Sequence, residues 1–267
     1  MLQIGPYSAW LVVDGARLET HSTVAYHNRI TTSAVGWVSS EAGKKFSVLW
    51  HNAVRDIALE AVVSIDGIEC NRHIMLDAFE FPDKADTVRV SYTRTSEYTR
   101  RDFLFSVVQV TDDDEYLSTV DHSKFGTITL DLWRLQVKRV ARQTLVHEHQ
   151  YRLPEPQVVH ERSKMGGRHH VKFGEEYQSP LPTVDMVDAR RMDRDPYVSF
   201  TFKYRPQDML RAQGVIERQT KPCYNGTIQH HLIHRRVRVG RCGEQEPRSR
   251  CQKSEHERTV VKTEREP

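Results

Sequence analysis

The most chemically suggestive residues in this sequence are His147 and His149, which flank Glu148. In a β-strand, residues two apart lie on the same face, so both imidazoles can approach one metal ion. Metal-dependent jelly-roll enzymes use such a pair together with a further Glu and His. Here Glu155 follows a proline and no glycine precedes the pair, so a solvated polar segment at a strand end is the favoured interpretation.

Two further histidine clusters have less convincing spacing. His169 and His170 follow two glycines, and adjacent imidazoles on a loop chelate poorly unless other ligands converge. Cys223 precedes three histidines by several residues, whereas a structural zinc site normally has two cysteines a few residues apart. We therefore expect no metal site and no cofactor site in this chain.

Other motifs for enzymes and ion binding are incomplete. Asp112–Glu115 is acidic enough for calcium but lacks the glycine and the closing Glu of an EF-hand loop, so capping of a helical turn is the alternative. Gly43-Lys44 lacks the remainder of a phosphate-binding loop, and no Gly-x-Ser-x-Gly motif is present. The sequence thus predicts no catalytic residues, and the protein is interpreted as a non-enzyme.

The C-terminal part of the chain differs sharply in composition from the rest. From Arg218 to Pro267 there are 12 Lys and Arg against 6 Asp and Glu, and Tyr224 is the single aromatic residue. A segment with so few large apolar groups cannot offset the entropy of ordering its backbone. We predict that residues 217–267 form a disordered basic tail, with weak potential for nucleic-acid contact.

Cysteine usage and apolar content bear on the compartment. Three of the four cysteines lie in the predicted tail, and only Cys70 lies before it, so a disulfide framework is not indicated. No basic region precedes an apolar stretch near Met1, and no apolar run reaches the ~18 residues of a membrane span. We expect an intracellular protein, in the cytoplasm or nucleus, that does not contact a membrane.

The elements that carry these residues are predicted to be short strands joined by tight turns. Apolar residues alternate through 57–65 and again through 68–75, and Asp66-Gly67 between them is typical of a type I′ hairpin turn. Asp14-Gly15 repeats this arrangement near the N-terminus. Further strands are predicted at 32–38, 45–50, 87–94, 102–110, 126–136 and 197–204.

This pattern predicts an all-β fold, an antiparallel two-sheet sandwich or a jelly-roll-like arrangement. Residues 205–213 are predicted to form a short helix after the last strand, ended by Gly214. Strand 102–110 is apolar on both faces and is therefore predicted to be covered on two sides. The four tryptophans lie on predicted strands and are expected to pack in the core.

The stretch 137–196 interrupts the strand pattern with prolines, glycines and many charges. We predict a single domain over residues 1–216 with a long polar insertion here, in which residues 171–174 contact the sheet. Long loops in compact domains are commonly functional or disordered.

Four segments of the chain carry a resemblance to a known family, namely 36–50, 103–114, 126–133 and 202–214. Together they resemble a domain-of-unknown-function family that is widespread in mushroom-forming fungi. The resemblance covers about residues 8–216 in order and implies one domain over this range. The family has no established activity, so the resemblance implies no catalytic or cofactor-binding residues.

The function that these observations favour is a non-enzymatic β-sandwich that binds a protein partner. Edge strands and the 137–196 insertion are its predicted binding surfaces, because recognition commonly uses loops on a rigid scaffold. Two alternatives remain open. One is a metal-dependent jelly-roll enzyme using His147 and His149, and the other is a nuclear, nucleic-acid-associated factor acting through its basic tail.

Overall fold

β-Strands account for most of the residues in this structure. The computed structural model describes residues 1–28, 31–113, 124–145, 158–160, 168–180 and 183–217. The elements are β1 (Leu2–Ile4), β2 (Tyr7–Val13), β3 (Ala16–Arg17), β4 (His21–His27), β5 (Thr32–Ser40), β6 (Phe46–Asn52), β7 (Leu59–Ile65), β8 (Ile68–Met75), β9 (Thr87–Val90), β10 (Tyr92–Arg94), β11 (Thr99–Val107), β12 (Gln109–Thr111), β13 (Thr127–Thr144), β14 (Val158–His160), β15 (His169–Phe173), β16 (Tyr177–Gln178), β17 (Thr183–Arg191), β18 (Val198–Pro206) and α1 (Gln207–Ala212).

The strands of the described residues form three larger sheets and one small pair. The largest sheet has the order β4-β5-β18-β13-β7-β8, with β17 beside β13. A second sheet has the order β1-β2-β6-β9, with β3 beside β2, and a third has the order β10-β11-β15, with β16 beside β11. Pairing is antiparallel except between β5 and β18 and between β12 and β14. The predicted all-β class and the short helix after the last strand are confirmed.

One hydrophobic core joins the three larger sheets. Phe46 on β6 stacks on Phe105 of β11 with ring centroids 4.3 Å apart, and Phe105 lies 5.2 Å from Tyr204 of β18. Alternate residues of β18 are buried, as the period-two pattern predicts: Val198, Phe200, Phe202 and Tyr204. The aromatic rings therefore fill the space between the sheets.

Both predicted Asp-Gly hairpins are confirmed. Asp66 and Gly67 have φ values of 51° and 85°, and Asp14 and Gly15 have values of 49° and 80°. Two successive residues with positive φ define the type I′ turn, whose twist matches that of the flanking strands. Ile65 consequently pairs with Ile68 across the first turn.

Some strand predictions differ from the structure. The segment 87–94 divides at Ser91 into β9 and β10, which belong to different sheets. The predicted two-sided coverage of 102–110 is only partial. Phe103 and Phe105 on one face are fully buried and Leu104 on the other face is half-buried, whereas Val107 near the end of the strand is 51% exposed. The apolar run on both faces therefore marks a strand that is covered on two sides for only part of its length.

The stretch 137–196 contains more regular structure than the sequence pattern indicates. The strand predicted to end at residue 136 continues to Thr144 and pairs with β17 from Leu135 onward. The predicted contact of residues 171–174 with the sheet is confirmed, because β15 pairs with β11. That this stretch is an insertion in one domain over 1–216 stays a prediction, and residues 218–267 lie outside the described residues.

The expectation that the tryptophans pack in the core is correct for Trp50, which is fully buried. The others are half-buried and lie under cations: Arg17 is 4.6 Å from the centroid of Trp10, Arg191 is 3.9 Å from that of Trp133, and Lys203 is 5.5 Å from that of Trp37. The cationic side chains cover the faces of these indoles that no other strand packs against.

Asp66 connects four segments that are distant in sequence. Its carboxylate accepts hydrogen bonds from the Tyr204 hydroxyl at 2.6 and 2.7 Å. It also accepts from the backbone N–H groups of Gly126 at 2.7 Å, Val171 at 3.1 Å and Thr127 at 3.2 Å. Burial raises the pKa of Asp66, and these donors oppose that rise. The β7–β8 turn is thereby tied to β13, β15 and β18.

No helix among the described residues combines the length and the apolar character that crossing a membrane requires.

Replacing Tyr204 by Phe should lower the free energy of unfolding by about 2–3 kcal/mol, because the Asp66 carboxylate loses its side-chain donor inside the protein. Urea denaturation measures this change. Tyr26→Phe, at a tyrosine that is 56% exposed, is the matched control and should change stability by less than about 0.5 kcal/mol. Equal stability of Tyr204→Phe and the wild type would contradict this role.

Candidate functional site

The residues singled out for metal binding are mostly outside the part of the chain that the structure describes. His147, His149, the cysteines and histidines of the tail, and Asp114 and Glu115 all fall there. Within the described ranges, no group of three or more His, Cys, Asp or Glu side chains could hold a metal ion. The Thr111 hydroxyl accepts a hydrogen bond from the Asp113 N–H at 3.2 Å, which is a local turn contact.

The sequence pattern placed His169 and His170 on a loop, but the structure places both on strand β15. Both are buried, and burial lowers the pKa of each. As neighbours in a strand they point to opposite faces, so they do not share a ligand. The Ser40 Oγ lies 2.8 Å from Nδ1 of His169 inside the protein. This buried pair joins β5 to β15 and serves packing.

The loop that connects β8 to β9, residues 76–86, presents the most exposed large hydrophobic side chain of the described residues. Phe79 on this loop is 94% exposed, whereas Phe81 two residues later is half-buried. A phenyl ring left in water contributes nothing to the stability of the fold. Its position at the tip of an ordered loop is therefore the first indication of a binding surface.

Arg55 holds this loop in place. Its guanidinium is buried and donates to backbone carbonyls along the loop: Nε to Leu76 at 3.1 Å, Nη2 to Phe81 at 2.7 Å and to Asp77 at 3.2 Å, and Nη1 to Lys84. The planar fork of five N–H donors suits several carbonyls at once. One side chain thus fixes both limbs of the loop.

Asn52 shapes the turn that points Arg55 inward. Its fully buried side-chain oxygen accepts hydrogen bonds from the N–H groups of Val54 at 3.2 Å and Arg55 at 3.1 Å. This Asx-type turn accommodates the positive φ of 49° at Arg55. The Asn52 N–H also donates to the carbonyl of Asp86 at 3.0 Å, so the turn and the end of the loop are joined directly.

Backbone hydrogen bonds complete the ordering of the loop. The Ala78 N–H donates to the carbonyl of Arg55 at 2.7 Å, and the Glu80 N–H donates to the Asp77 carboxylate at 2.8 Å. Lys84 forms an ion pair with Asp185 of β17. The phenyl ring of Phe79 is consequently presented from a backbone that is held at its base, its centre and its end.

The surface around Phe79 is acidic. Asp56, Glu80, Asp83 and Asp86 are all exposed in this loop and the adjoining turn. Among the nearby basic groups, Arg55 is buried and Lys84 is paired with Asp185, while His51 Nδ1 lies 3.6 Å from the Asp86 carboxylate. We call the exposed ring and these four carboxylates the Phe79 surface.

Sequence reasoning did not identify the Phe79 surface. The available signal was the pair of phenylalanines in Phe79-Glu80-Phe81-Pro82 between two predicted strands, within an acidic segment. Turn residues have no fixed periodicity, so the pattern does not say which ring faces water. The role of Arg55 depends on carbonyls more than twenty residues away in sequence.

These features define an all-β domain with an ordered, acidic loop and an exposed aromatic side chain. The family described as Domain of unknown function (DUF7918) matches residues 8–219, and the chain belongs to this family. The predicted resemblance over about 8–216 is thereby confirmed, while the fungal distribution of the family stays a prediction. No curated protein and no solved structure matched the chain.

Replacing Arg55 by Met should lower the free energy of unfolding by about 2–3 kcal/mol, because buried carbonyls lose their donors. Hydrogen exchange should also show loss of protection at the amides of Ala78 and Lys84. Arg139→Met, at an exposed arginine of β13, is the control and should change stability by less than about 0.5 kcal/mol. Unchanged exchange in Arg55→Met would show that the loop is held by other contacts.

The buried His169 predicts a pH dependence of stability. Its folded pKa is lowered, so the unfolded chain takes up the proton first as the pH falls below the ordinary value of 6.5. Neutral His169 therefore makes its full contribution to the free energy of unfolding above pH 6.5. This contribution is lost as the pH falls from 6.5 through the lowered folded pKa, with a slope of at most about 1.4 kcal/mol per pH unit.

The stability of the wild type is compared with that of His169→Asn, whose side-chain amide can occupy the position of Nδ1 near Ser40. Urea unfolding at pH 7.5, 6.5 and 5.5 should show the wild type losing more stability than the variant toward low pH. A constant difference between the two proteins across this range would argue against the titration of His169.

Proposed function

We propose that this protein is a non-enzymatic interaction module that binds a protein partner through the Phe79 surface. The observation that carries the proposal is a phenyl ring, 94% exposed, on a loop fixed by the buried Arg55. Ordering the loop around a buried cation requires several compensating hydrogen bonds, and the fold gains no packing from Phe79 in return. A partner that covers the ring explains the arrangement.

The energetics of association support this proposal. Burial of one phenylalanine side chain contributes about 1.5–3 kcal/mol, and aromatic anchors in the centre of an interface commonly dominate its affinity. Ordering a flexible segment on binding costs about 0.5–1.5 kcal/mol for each immobilised side chain. Because the loop is already held by Arg55, most of that ordering precedes association.

The non-enzymatic part of the proposal is supported by the surroundings of the Ser40–His169 pair. This hydroxyl and imidazole are in contact, but both are buried in the protein, so a substrate does not reach them. Enzymatic use of His147 and His149, and nucleic-acid binding through the basic tail, concern residues outside the described ranges. Those alternatives stay predictions, as does partner binding at edge strands or at 137–196.

We also infer an intracellular setting. Cys70 is buried and forms no disulfide within the described ranges, and burial raises the pKa of its thiol to about 12, so the thiol remains protonated and unreactive at neutral pH. A buried cysteine that is reduced and forms no disulfide is typical of proteins from reducing compartments.

The proposal is tested by comparing Phe79→Ala with Tyr98→Ala, a control at a tyrosine that is 54% exposed on another loop. Both variants should retain the wild-type urea midpoint. Proteins captured by the tagged wild type in its native cells, quantified by mass spectrometry, should include a partner that Phe79→Ala loses and Tyr98→Ala retains.

With that partner purified, Phe79→Ala should weaken binding by about 30-fold, since an anchor residue contributes about 2 kcal/mol or more. Isothermal titration calorimetry measures this directly. The proposed function is refuted if both variants capture the same proteins as the wild type.

A further inference from the structure

A groove of about 300 Å³ opens at the seam between the second and third sheets. One wall is the Asp14-Gly15 turn, and the opposite wall is formed where β9 passes into β10. Its lining combines charged, hydroxyl and apolar side chains: Val12, Asp14, Lys45, Phe46, Ser47, Arg89, Ser91 and Asp102.

Backbone contacts across the seam fix the shape of the groove. The Gly43 N–H donates to the carbonyl of Phe105 at 2.7 Å, and the Phe105 N–H donates to the carbonyl of Lys44 at 3.0 Å. On the other side the Phe103 N–H donates to the carbonyl of Ser91 at 3.0 Å. The residues that line the groove are therefore anchored to the core strand β11.

Both carboxylates of the groove already have cationic partners. Lys44 Nζ lies 2.8 Å from Asp14, and Lys45 Nζ lies 2.7 Å from Asp102. Asp102 also accepts a hydrogen bond from the Tyr177 hydroxyl at 2.8 Å. Because Asp14 is paired with Lys44 and Asp102 with Lys45, the positive charge of Arg89 has no carboxylate partner in the groove.

Arg89 is held in position without being neutralised. Its Nε donates to the Ser47 hydroxyl at 3.0 Å, which leaves both terminal nitrogens without a hydrogen-bond partner among the described residues. A guanidinium with two parallel N–H donors free matches a carboxylate in a bidentate pair. The hydroxyls of Ser47 and Ser91 and the oxygens of Asp14 and Asp102 lie in the same lining.

We propose that this groove binds a small hydroxylated monocarboxylate, of the size of one sugar ring, through Arg89. One unneutralised positive charge matches one carboxylate. The serine hydroxyls and the paired aspartates offer donors and acceptors for ligand hydroxyl groups. The volume lies at the lower end of the range for small-molecule sites, which suits a ligand of one ring. None of the lining residues belongs to the Phe79 surface.

The test is a titration of the full-length protein, labelled with ¹⁵N, with D-glucuronate at constant ionic strength. Amide signals of residues in the Asp14-Gly15 turn, at 45–47 and at 89–91 should shift in a saturable manner. D-Glucose, which has the same ring but no carboxylate, should bind at least tenfold more weakly. Inorganic phosphate, which lacks the ring, should also bind at least tenfold more weakly.

The matched variants are Arg89→Gln and Arg94→Gln. Arg89 is exposed, so the first variant should keep the wild-type spectrum outside the groove while weakening glucuronate binding at least tenfold. Arg94 stacks over Tyr92 on β10, outside the groove lining, and its variant should bind within twofold of the wild type. The proposal is overturned if glucuronate shifts no groove amide, if glucose or phosphate binds equally well, or if Arg89→Gln binds normally.

Discussion

The contact between the Asp66 carboxylate and the Tyr204 hydroxyl is the constraint on which the arrangement of the sheets depends. Asp66 has a backbone conformation that a hairpin turn requires and a side chain that receives donors from three other segments. A charged acceptor in the interior is tolerated when such donors satisfy it. The same residue therefore makes a local turn and connects strands that are far apart in the chain.

Arg55 follows the same physical logic with the opposite charge. Its guanidinium is buried, has no carboxylate partner in the described part of the chain and is satisfied by loop carbonyls. Several backbone carbonyls must point at the Arg55 guanidinium together, so these hydrogen bonds keep the loop close to one conformation. A single charged side chain as partner would not impose this on the backbone. Rigid presentation of Phe79 in an acidic setting is the result, and it favours a partner with an apolar pocket and basic surroundings.

Much of the fold could be predicted from the sequence because the determining interactions are local. The Asp14-Gly15 and Asp66-Gly67 turns and the alternating faces of β7, β13 and β18 follow from dihedral preferences and period two. The parallel pairing of β5 with β18 could not be predicted, since it joins residues more than 160 positions apart. Neither the exposure of Phe79 nor the charge balance around Arg89 has a periodic signature, because each depends on which distant groups approach it.

The position of β18 has a consequence for biosynthesis. This strand lies between β5 and β13 in the largest sheet, so both neighbours have an unpaired edge until residues 198–206 leave the ribosome. Nascent chains with open strand edges associate readily with one another. Completion of the sheet therefore waits for β18, and protection of the growing chain by a chaperone is of most value during that interval.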